Sequence, residues 1–489
     1  MDQDFHYYGT FHSAMSAGFD KDDATLIAKA SNFIDFFHEG DYASDWSLVS
    51  ETKKSSHYNV VARMEHPRYT FQHGYWSTYK HPEDSVWCTY HFIPGNYDDP
   101  AGTPSRENIH GVDVANYIPK HVKRETRGGE YILRKYNPET LNHLQWGRML
   151  NRPQSALSRS LVQDTVLCVA DEDRLEKIIS LAAVGAAILE TDRSDVIRRF
   201  KLILLGVRAH VIADTWAHQD HCGLDNVMNT YWDVNYDPDS WNPLKFGLGR
   251  QSIDYNDGSS KGWKTKVLTV GNSTVGYLLN VLPGHSPLDI PNPNFEATPN
   301  ATSYLGHGWL GHFPDFSFVK FRYKPCWSDP RQTIERDNPK EYEAAWVELT
   351  SLFYQAKTGR KLEINDQVKS DISKAKQAIE TPCELAALIP VPGRMSSQKA
   401  WQKILSEQPG DQINTIQEPD AKAVLGGLIE KRDTSYVNIQ SDLYLFQIAA
   451  DYHFHFIKHY LKANGIYQFT GEWSKQRSTL SDGIVNLFS

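Results

Sequence analysis

The alternation of apolar and polar residues along the chain predicts a protein built mainly from α-helices. In Asp22–His38, apolar side chains recur every three or four residues, and Asp20 stands in front as a candidate N-terminal cap. Asp35 lies near the predicted end of this helix. The same periodicity predicts further helices at Pro138–Leu150, Asp173–Leu189, Asp195–Trp216, Lys340–Thr358, Asp366–Ile379 and Ser441–Leu461.

Two long regions, 40–120 and 222–330, lack helical periodicity and are rich in aromatic residues, Pro, Gly and Asn. Within the first, Val86–Pro100 has the pattern of an extended segment that enters a turn. Long irregular regions inside a compact protein are more often functional than idle. We therefore expect a helical metal-binding core with loop insertions over residues 1–330. Residues 331–489 would form an extra helical part that packs on this core or belongs to the same domain.

The segment Arg208–Gly223, RAHVIADTWAHQDHCG, carries the strongest chemical signal in the chain. It places His210, Asp214 and His218 at intervals of four, so that on a helix they share one face. Imidazole and carboxylate are ligands that zinc takes in hydrolytic sites. Because the preceding turns are apolar, we expect the stripe to be buried, and buried polar groups need a partner.

Composition narrows the function classes. The net charge of the 489-residue chain is −9, which argues against stable nucleic-acid binding. The five cysteines are dispersed without a C-x-x-C pair, which indicates reduced thiols, and Cys222 is interpreted as a small buried residue. The first residues lack the features of a signal peptide, and no apolar run is long enough to span a membrane. We expect synthesis in the cytoplasm, with any export through a dedicated secretion system.

Histidines and aspartates elsewhere in the chain could complete a metal site with the stripe. Each is a weak signal alone, because a single histidine among aromatic residues is usually structural. Together with the stripe they provide enough ligands for two or three metal ions. The candidate metal ligands are His6, Asp35, His91, His210, Asp214, His218, His307, His312 and Asp315.

Four sequence blocks resemble those of an uncharacterised bacterial family of helical proteins. They are DFHYY at Asp4–Tyr8, HFIPG at His91–Gly95, LLGVRAHVIADTWAHQDHCG at Leu204–Gly223 and LGHGWLGHFPDF at Leu305–Phe316. The helical stripe is also distantly similar to the zinc-dependent phospholipase C and single-strand nuclease superfamily. That superfamily is all-helical and holds three zinc ions in a cleft, so the resemblance implies a phospholipase C-like helical fold and zinc as cofactor.

The resemblance also implies roles for individual residues. Asp35 would bridge two metals, His91 would come from an upstream loop, and the segment from His307 to Asp315, with His312, would close the site. In these families a processed N-terminal residue binds zinc through its free amine. Here Met1 precedes Asp2, so His6 is expected to supply that ligand, or else the third zinc is absent.

The leading functional hypothesis is zinc-dependent hydrolysis of phosphoesters, most of all phospholipid headgroups. A metal-bound hydroxide would attack phosphorus, Asp35 or Asp214 would orient it as catalytic carboxylate, and Trp216, Trp309 and Phe313 would shape the cleft. Zinc-dependent nuclease activity is an alternative, since bases stack on aromatic rings.

Two further interpretations involve no catalysis. The chain could be an effector or toxin that retains a metal scaffold and has a cognate immunity or delivery protein. Alternatively, the histidines could hydrogen-bond to one another around a polar core.

In the last predicted helix, Asp451, His455 and His459 offer a second possible metal-binding edge, but we interpret that helix as facing the core.

Overall fold

The computed structural model confirms a mainly α-helical chain, with short sheets joined to the helical body. The helices are α1 (Thr10–Ser16), α2 (Lys21–Phe33), α3 (Ala156–Ala170), α4 (Glu172–Ser180), α5 (Gly185–Leu189), α6 (Arg193–Ala217), α7 (Asn338–Thr358), α8 (Asp366–Ile379), α9 (Gln398–Ile404) and α10 (Asp442–Ala463). The structure describes residues 1–37, 45–51, 58–65, 68–71, 86–95, 149–190, 192–223, 229, 231–236, 248–255, 264–270, 273–274, 306–307, 313–325, 334–381, 398–409, 428–431, 434–464 and 487–488.

Helix α6 is the centre of the fold. It begins after Asp192, whose side chain accepts a hydrogen bond from the backbone N–H of Asp195, as an N-cap residue does. Nearly every residue from Leu202 to Ala217 is buried, because α2, α3, α7 and α10 pack around this helix. One apolar cluster extends from the N-terminal segment to α10. Helices α7 and α10 thus pack on α6, while the proposed boundary at residue 330 stays a prediction.

Helices α2 and α6 approach each other most closely at Gly206. A Cβ atom at this position would lie 2.3 Å from the carbonyl oxygen of Ile27 and 2.7 Å from the Cβ of Ala30. Both distances are far below van der Waals contact, so the absence of a side chain permits the approach. Gly206 lies one turn before His210, and the close packing therefore positions α2 against the polar stripe.

Two π-helical turns, Asp4–Gly9 and Trp87–His91, add to the α-helices. The first continues directly into α1. The second corrects the expectation of an extended segment over Val86–Pro100 in its described part, residues 86–95, whereas residues 96–100 lie outside the described residues. Its side chains are largely buried, and Tyr90 donates its hydroxyl to the carbonyl of Ala450, so packing against α10 favours a helical turn. π-Helical turns are rare in proteins as a whole, and those that occur are often found at functional sites.

Strands form three small sheets in the described part of the chain. Their bounds are β1 (Asp45–Glu51), β2 (Tyr58–Glu65), β3 (Tyr231–Tyr236), β4 (Leu248–Tyr255), β5 (Lys264–Val270), β6 (Ser273–Thr274), β7 (Lys320–Pro325), β8 (Ile334–Asp337), β9 (Leu428–Lys431) and β10 (Thr434–Asn438). The sheet orders are β2-β1-β10-β9, β3-β7-β8 and β4-β5-β6. Strand β1 runs parallel to β10, with Trp46 opposite Ser435, and the other pairs are antiparallel. Strands therefore occur in the regions where the sequence predicted only irregular loops.

Most of the predicted helices in the described residues are confirmed, with some changes at their ends. Asp20 caps α2 as expected, but this helix ends at Phe33, so Asp35 lies in the turn that follows it. Asp173–Leu189 forms two helices instead of one. A Cβ at Gly185 would lie 2.1 Å from the carbonyl oxygen of Ile179, so the chain folds back sharply there. Of the predicted helix Pro138–Leu150, residues 138–148 lie outside the described residues.

No helix in the described part of the chain combines the length and the apolar character required to cross a membrane.

Candidate metal centre

Helix α6 and the residue after it supply the first three polar side chains of the site. His210 and Asp214 lie four residues apart on one buried face, and His218 is the residue at which the helix ends. Their exposed fractions are 0%, 1% and 4%. The helix therefore holds three candidate ligands in the protein interior on a rigid element.

Four potential metal-ligand atoms from three separate segments converge at the inner end of this stripe. Asp214 Oδ2 lies 3.2 Å from His210 Nε2 and 3.4 Å from His91 Nδ1. Asp35 Oδ1 lies 3.7 Å and 3.6 Å from the same two nitrogens. The nitrogens are 3.3 Å apart. Ligands at a tetrahedral zinc stand about 3.3 Å from one another, given bond lengths of about 2.0–2.1 Å. These five separations are close to that value, and ligand atoms of Asp35, His91 and His210 lie within 4.8 Å of one another, so this group could hold one metal ion.

Backbone carbonyls fix which nitrogen of each histidine faces the site. His91 Nε2 lies 2.9 Å from the carbonyl oxygen of Thr70, and His210 Nδ1 lies 2.9 Å from that of Ser31. A carbonyl only accepts, so these nitrogens carry the hydrogen and the opposite nitrogens present lone pairs. Burial holds the pKa of His210 well below its usual value, which keeps that ring neutral. Two lone pairs and two carboxylate oxygens thus face one another, an arrangement that a cation would satisfy.

A second group forms around the other oxygen of Asp214. His6, from the first π-turn, places Nε2 3.1 Å from Asp214 Oδ1 and 3.9 Å from Asp35 Oδ2. Its ring stacks on that of His210 with centroids 3.8 Å apart. Burial lowers the pKa of His6 to about 4, although Asp214 opposes this effect. Ligand atoms of His6, His210 and Asp214 lie within 4.8 Å of one another and could hold a metal ion.

A third group lies at the end of α6. His218 Nδ1 faces the carbonyl oxygen of His91 at 2.9 Å, which leaves Nε2 to face Asp315 Oδ1 at 3.1 Å. His307 Nε2 lies 3.3 Å from Asp315 Oδ2. The atoms of His218, His307 and Asp315 again fall within 4.8 Å of one another.

The α-amino group of Met1 lies between the second and third groups. It donates to Asp214 Oδ1 at 2.7 Å and stands 3.3 Å from both Asp315 Oδ1 and His218 Nε2. Burial alone would lower the pKa of this amine, but the carboxylates of Asp214, Asp315 and Asp35 raise it to about 11. Both this amine and His6 lie beside Asp214, whereas the residue pattern predicted His6 in place of the amine. The signal that could have revealed it is the zinc-binding N-terminal amine of the families that the chain resembles.

The three carboxylates differ in exposure and in pKa. Asp214 is buried, and although burial raises its pKa, His218, the α-amine and the other histidines hold it well below the usual range. Burial and the nearby Asp214 raise the pKa of Asp35 well above its usual value. The side chain of Asp35 is nevertheless 25% exposed, against 11% for Asp315. Solvent therefore reaches the cluster from the side of Asp35.

The structure brings together eight of the nine candidate ligands, and His312 lies outside the described residues. Their assignment as ligands stays a prediction. The side chain of Cys222 is buried and belongs to none of the three groups. Trp216 does not point its indole N–H at the cluster, because it donates to Glu348 Oε2 at 2.6 Å. Trp309 and the side chain of Phe313 also lie outside the described residues.

The comparisons with known proteins are consistent with an uncharacterised family. A search of curated proteins and a search of solved structures found no match. One family model, described as a family of unknown function (DUF6765), matches residues 1–461. Since that match includes the π-turns, α6 and α10, the chain belongs to this family of unknown function.

Proposed function

We propose that the chain is a metal-dependent phosphodiester hydrolase of the phospholipase C type, with zinc as its metal. One observation carries the proposal: imidazole nitrogens and carboxylate oxygens from separate segments converge in three largely buried groups, each of which could hold a metal ion. His91, His210 and His218 each turn the opposite ring nitrogen to a backbone carbonyl. Metal-binding histidines in proteins are oriented in this way.

The roles of the protein groups in this proposal follow from their positions in the cluster. Asp214 would offer both of its oxygens as ligands, since Oδ2 faces His91 and His210 while Oδ1 faces His6 and the α-amine. When bound, divalent cations supply Lewis-acid stabilisation of phosphate charge and lower the pKa of bound water. Asp35, at the accessible edge of the cluster, is placed to accept a hydrogen bond from a water that approaches the phosphorus.

Aromatic side chains beside the cluster bear on the choice of substrate. The ring of Phe92 stacks on that of His218 with centroids 4.5 Å apart, and Trp87 lies 5.0 Å from His91. Phe92 is buried, whereas Trp87 is partly exposed, so the ring of Trp87 would offer apolar contact to an acyl-glycerol next to the phosphate. With a net charge of −9, we favour a phospholipid headgroup as substrate. The same ring could stack on a base, so single-stranded nucleic acid is the second candidate.

The test begins with elemental analysis of the purified chain, for which we expect two or three zinc ions per chain. Turnover is then measured on phosphatidylcholine vesicles and on single-stranded DNA, before and after treatment with EDTA and after zinc is restored. We expect release of phosphorylated headgroup that EDTA abolishes and zinc recovers. Turnover that persists without metal would contradict the mechanism. Metal without turnover on either substrate would favour the scaffold interpretation, and a chain that takes up no ion would favour a hydrogen-bonded polar core.

A further inference from the structure

The fully buried polar side chains of helix α10 include Asp451 and His453, which belong to none of the three metal groups. We propose that they are positioning residues for His91, because each holds one of the two backbone segments that orient its ring. The inference rests on the proposed metal centre. It gives helix α10 a part in the site.

The first segment is the π-turn Trp87–His91 itself. His453 Nε2 lies 2.9 Å from the carbonyl oxygen of Thr89, two residues before His91. Burial holds the pKa of His453 well below its usual value, so the ring is neutral and its single N–H faces this carbonyl. Tyr90 donates in the opposite direction, from its hydroxyl to the carbonyl of Ala450 at 2.9 Å. Two hydrogen bonds from one turn of α10 thus hold a backbone conformation that is rarely stable alone.

The second segment contains the carbonyl that orients His91. Arg68 is buried and donates from Nε to Asp451 Oδ1 at 3.0 Å, and its guanidinium lies 3.7 Å from the ring centroid of Phe454. Two residues later, the carbonyl of Thr70 accepts the N–H of His91 at 2.9 Å. Asp451 therefore acts on the ring nitrogen through Arg68 and the backbone of Thr70.

The side chain of Thr70 ties the same segment to Asp35. Its hydroxyl donates to the carbonyl of Ile34 at 2.8 Å, in the turn that carries Asp35. Displacement of Thr70 would therefore move His91 and Asp35, two members of the same metal group. A buried ion pair is seldom more stabilising than a well-packed apolar pair, so positioning accounts better for Arg68–Asp451 than stability does.

The experiment compares three substitutions in α10. His453→Phe keeps a ring but removes the donor to Thr89, His453→Gln retains an N–H donor, and His459→Phe is a control further along the helix. Zinc affinity is measured by competition with a chromophoric chelator, and Co²⁺ absorbance reports the ligand geometry. Loss of an outer-shell partner typically costs 10–100-fold in metal affinity. We expect a loss of about this size in His453→Phe, partial recovery in His453→Gln and no change in His459→Phe.

The same substitution made in a His91→Ala variant distinguishes a positioning role from general destabilisation. In His91→Ala, His453→Phe should cause no further loss of zinc affinity, because the group through which it acts is gone. An equal loss in both backgrounds, or wild-type affinity in His453→Phe, would overturn the inference. If His453→Phe does not fold, Asp451→Asn tests the second segment with the same readouts. A wild-type chain that binds neither Zn²⁺ nor Co²⁺ would refute the metal centre itself, whereas normal wild-type binding with unaffected variants refutes only the positioning.

Discussion

Substitution of Gly206 by alanine tests whether the distance between α2 and α6 sets the metal centre. The added Cβ would lie 2.3 Å from the carbonyl oxygen of Ile27, about 1 Å short of an ordinary contact. That oxygen belongs to helical backbone and cannot rotate away, so the two helices must separate. Overpacking of this kind costs about 1–3 kcal/mol, and we expect the upper part of that range.

The separation should also weaken metal binding. Helix α2 carries Ser31, whose carbonyl orients His210, and leads into Asp35. A shift of about 1 Å in catalytic geometry can cost on the order of 100-fold in rate, and we expect a comparable reduction in zinc affinity. Gly185→Ala is the matched control, since its Cβ would lie 2.1 Å from a backbone oxygen at the junction of α4 and α5.

The assay combines chemical denaturation of the metal-free chain with competitive zinc titration. Both variants should unfold at lower denaturant concentration, and only Gly206→Ala should lose zinc affinity. If Gly206→Ala is destabilised but binds zinc as the wild type does, the spacing of α2 and α6 does not determine the site. If Gly185→Ala weakens zinc binding equally, general loss of stability explains the effect.

Three further substitutions test separate parts of the structure. Asp214→Asn should remove at least one zinc ion per chain by elemental analysis, whereas Asp371→Asn, on α8, should retain the wild-type content. Arg336→Met should lower the free energy of unfolding by about 3–5 kcal/mol, because it removes a buried guanidinium that pairs with Glu341 and donates to the carbonyls of Trp216 and Ala217. An unchanged urea midpoint would contradict this. Burial lowers the pKa of His12 from 6.5 to about 4, so the unfolded chain binds more protons and stability is lost as pH falls through that range. His12→Phe should therefore reduce the pH dependence of stability between these values, and an unchanged slope would show that His12 titrates normally.

Sequence reasoning succeeded where local physical chemistry decides the structure. Helix α6 has a capping aspartate, a long apolar interior and a spacing of four between His210 and Asp214, and its bounds differ from the prediction by only one or two residues. The predicted N-cap of α2, Asp20, is likewise a local side-chain signal, and it accepts the backbone N–H of Asp23.

The groups that complete the site were harder to predict, because many of them are backbone atoms. The carbonyls of Ser31, Thr70 and His91 orient the three central histidines. The α-amino group of Met1 joins the second and third groups. Every residue has a backbone carbonyl, so the residue type does not reveal which carbonyls orient a histidine. The π-turn at His91 depends in the same way on contacts with α10, which is distant in sequence.

If backbone atoms orient the ligands, then residues that control backbone approach should matter as much as the ligands do. Gly206 permits the close approach of α2 and α6. Gly306, next to His307, permits a close approach to the ring of Phe92. Gly306 has a φ of +55°, and a Cβ there would lie 2.3 Å from the ring of Phe92, which stacks on His218. A side chain at Gly306 would therefore strain the backbone and displace a ring that packs on the third group. The arrangement of the candidate ligands thus depends on small residues that offer no ligand atom themselves, and a search for ligand residues alone would miss them.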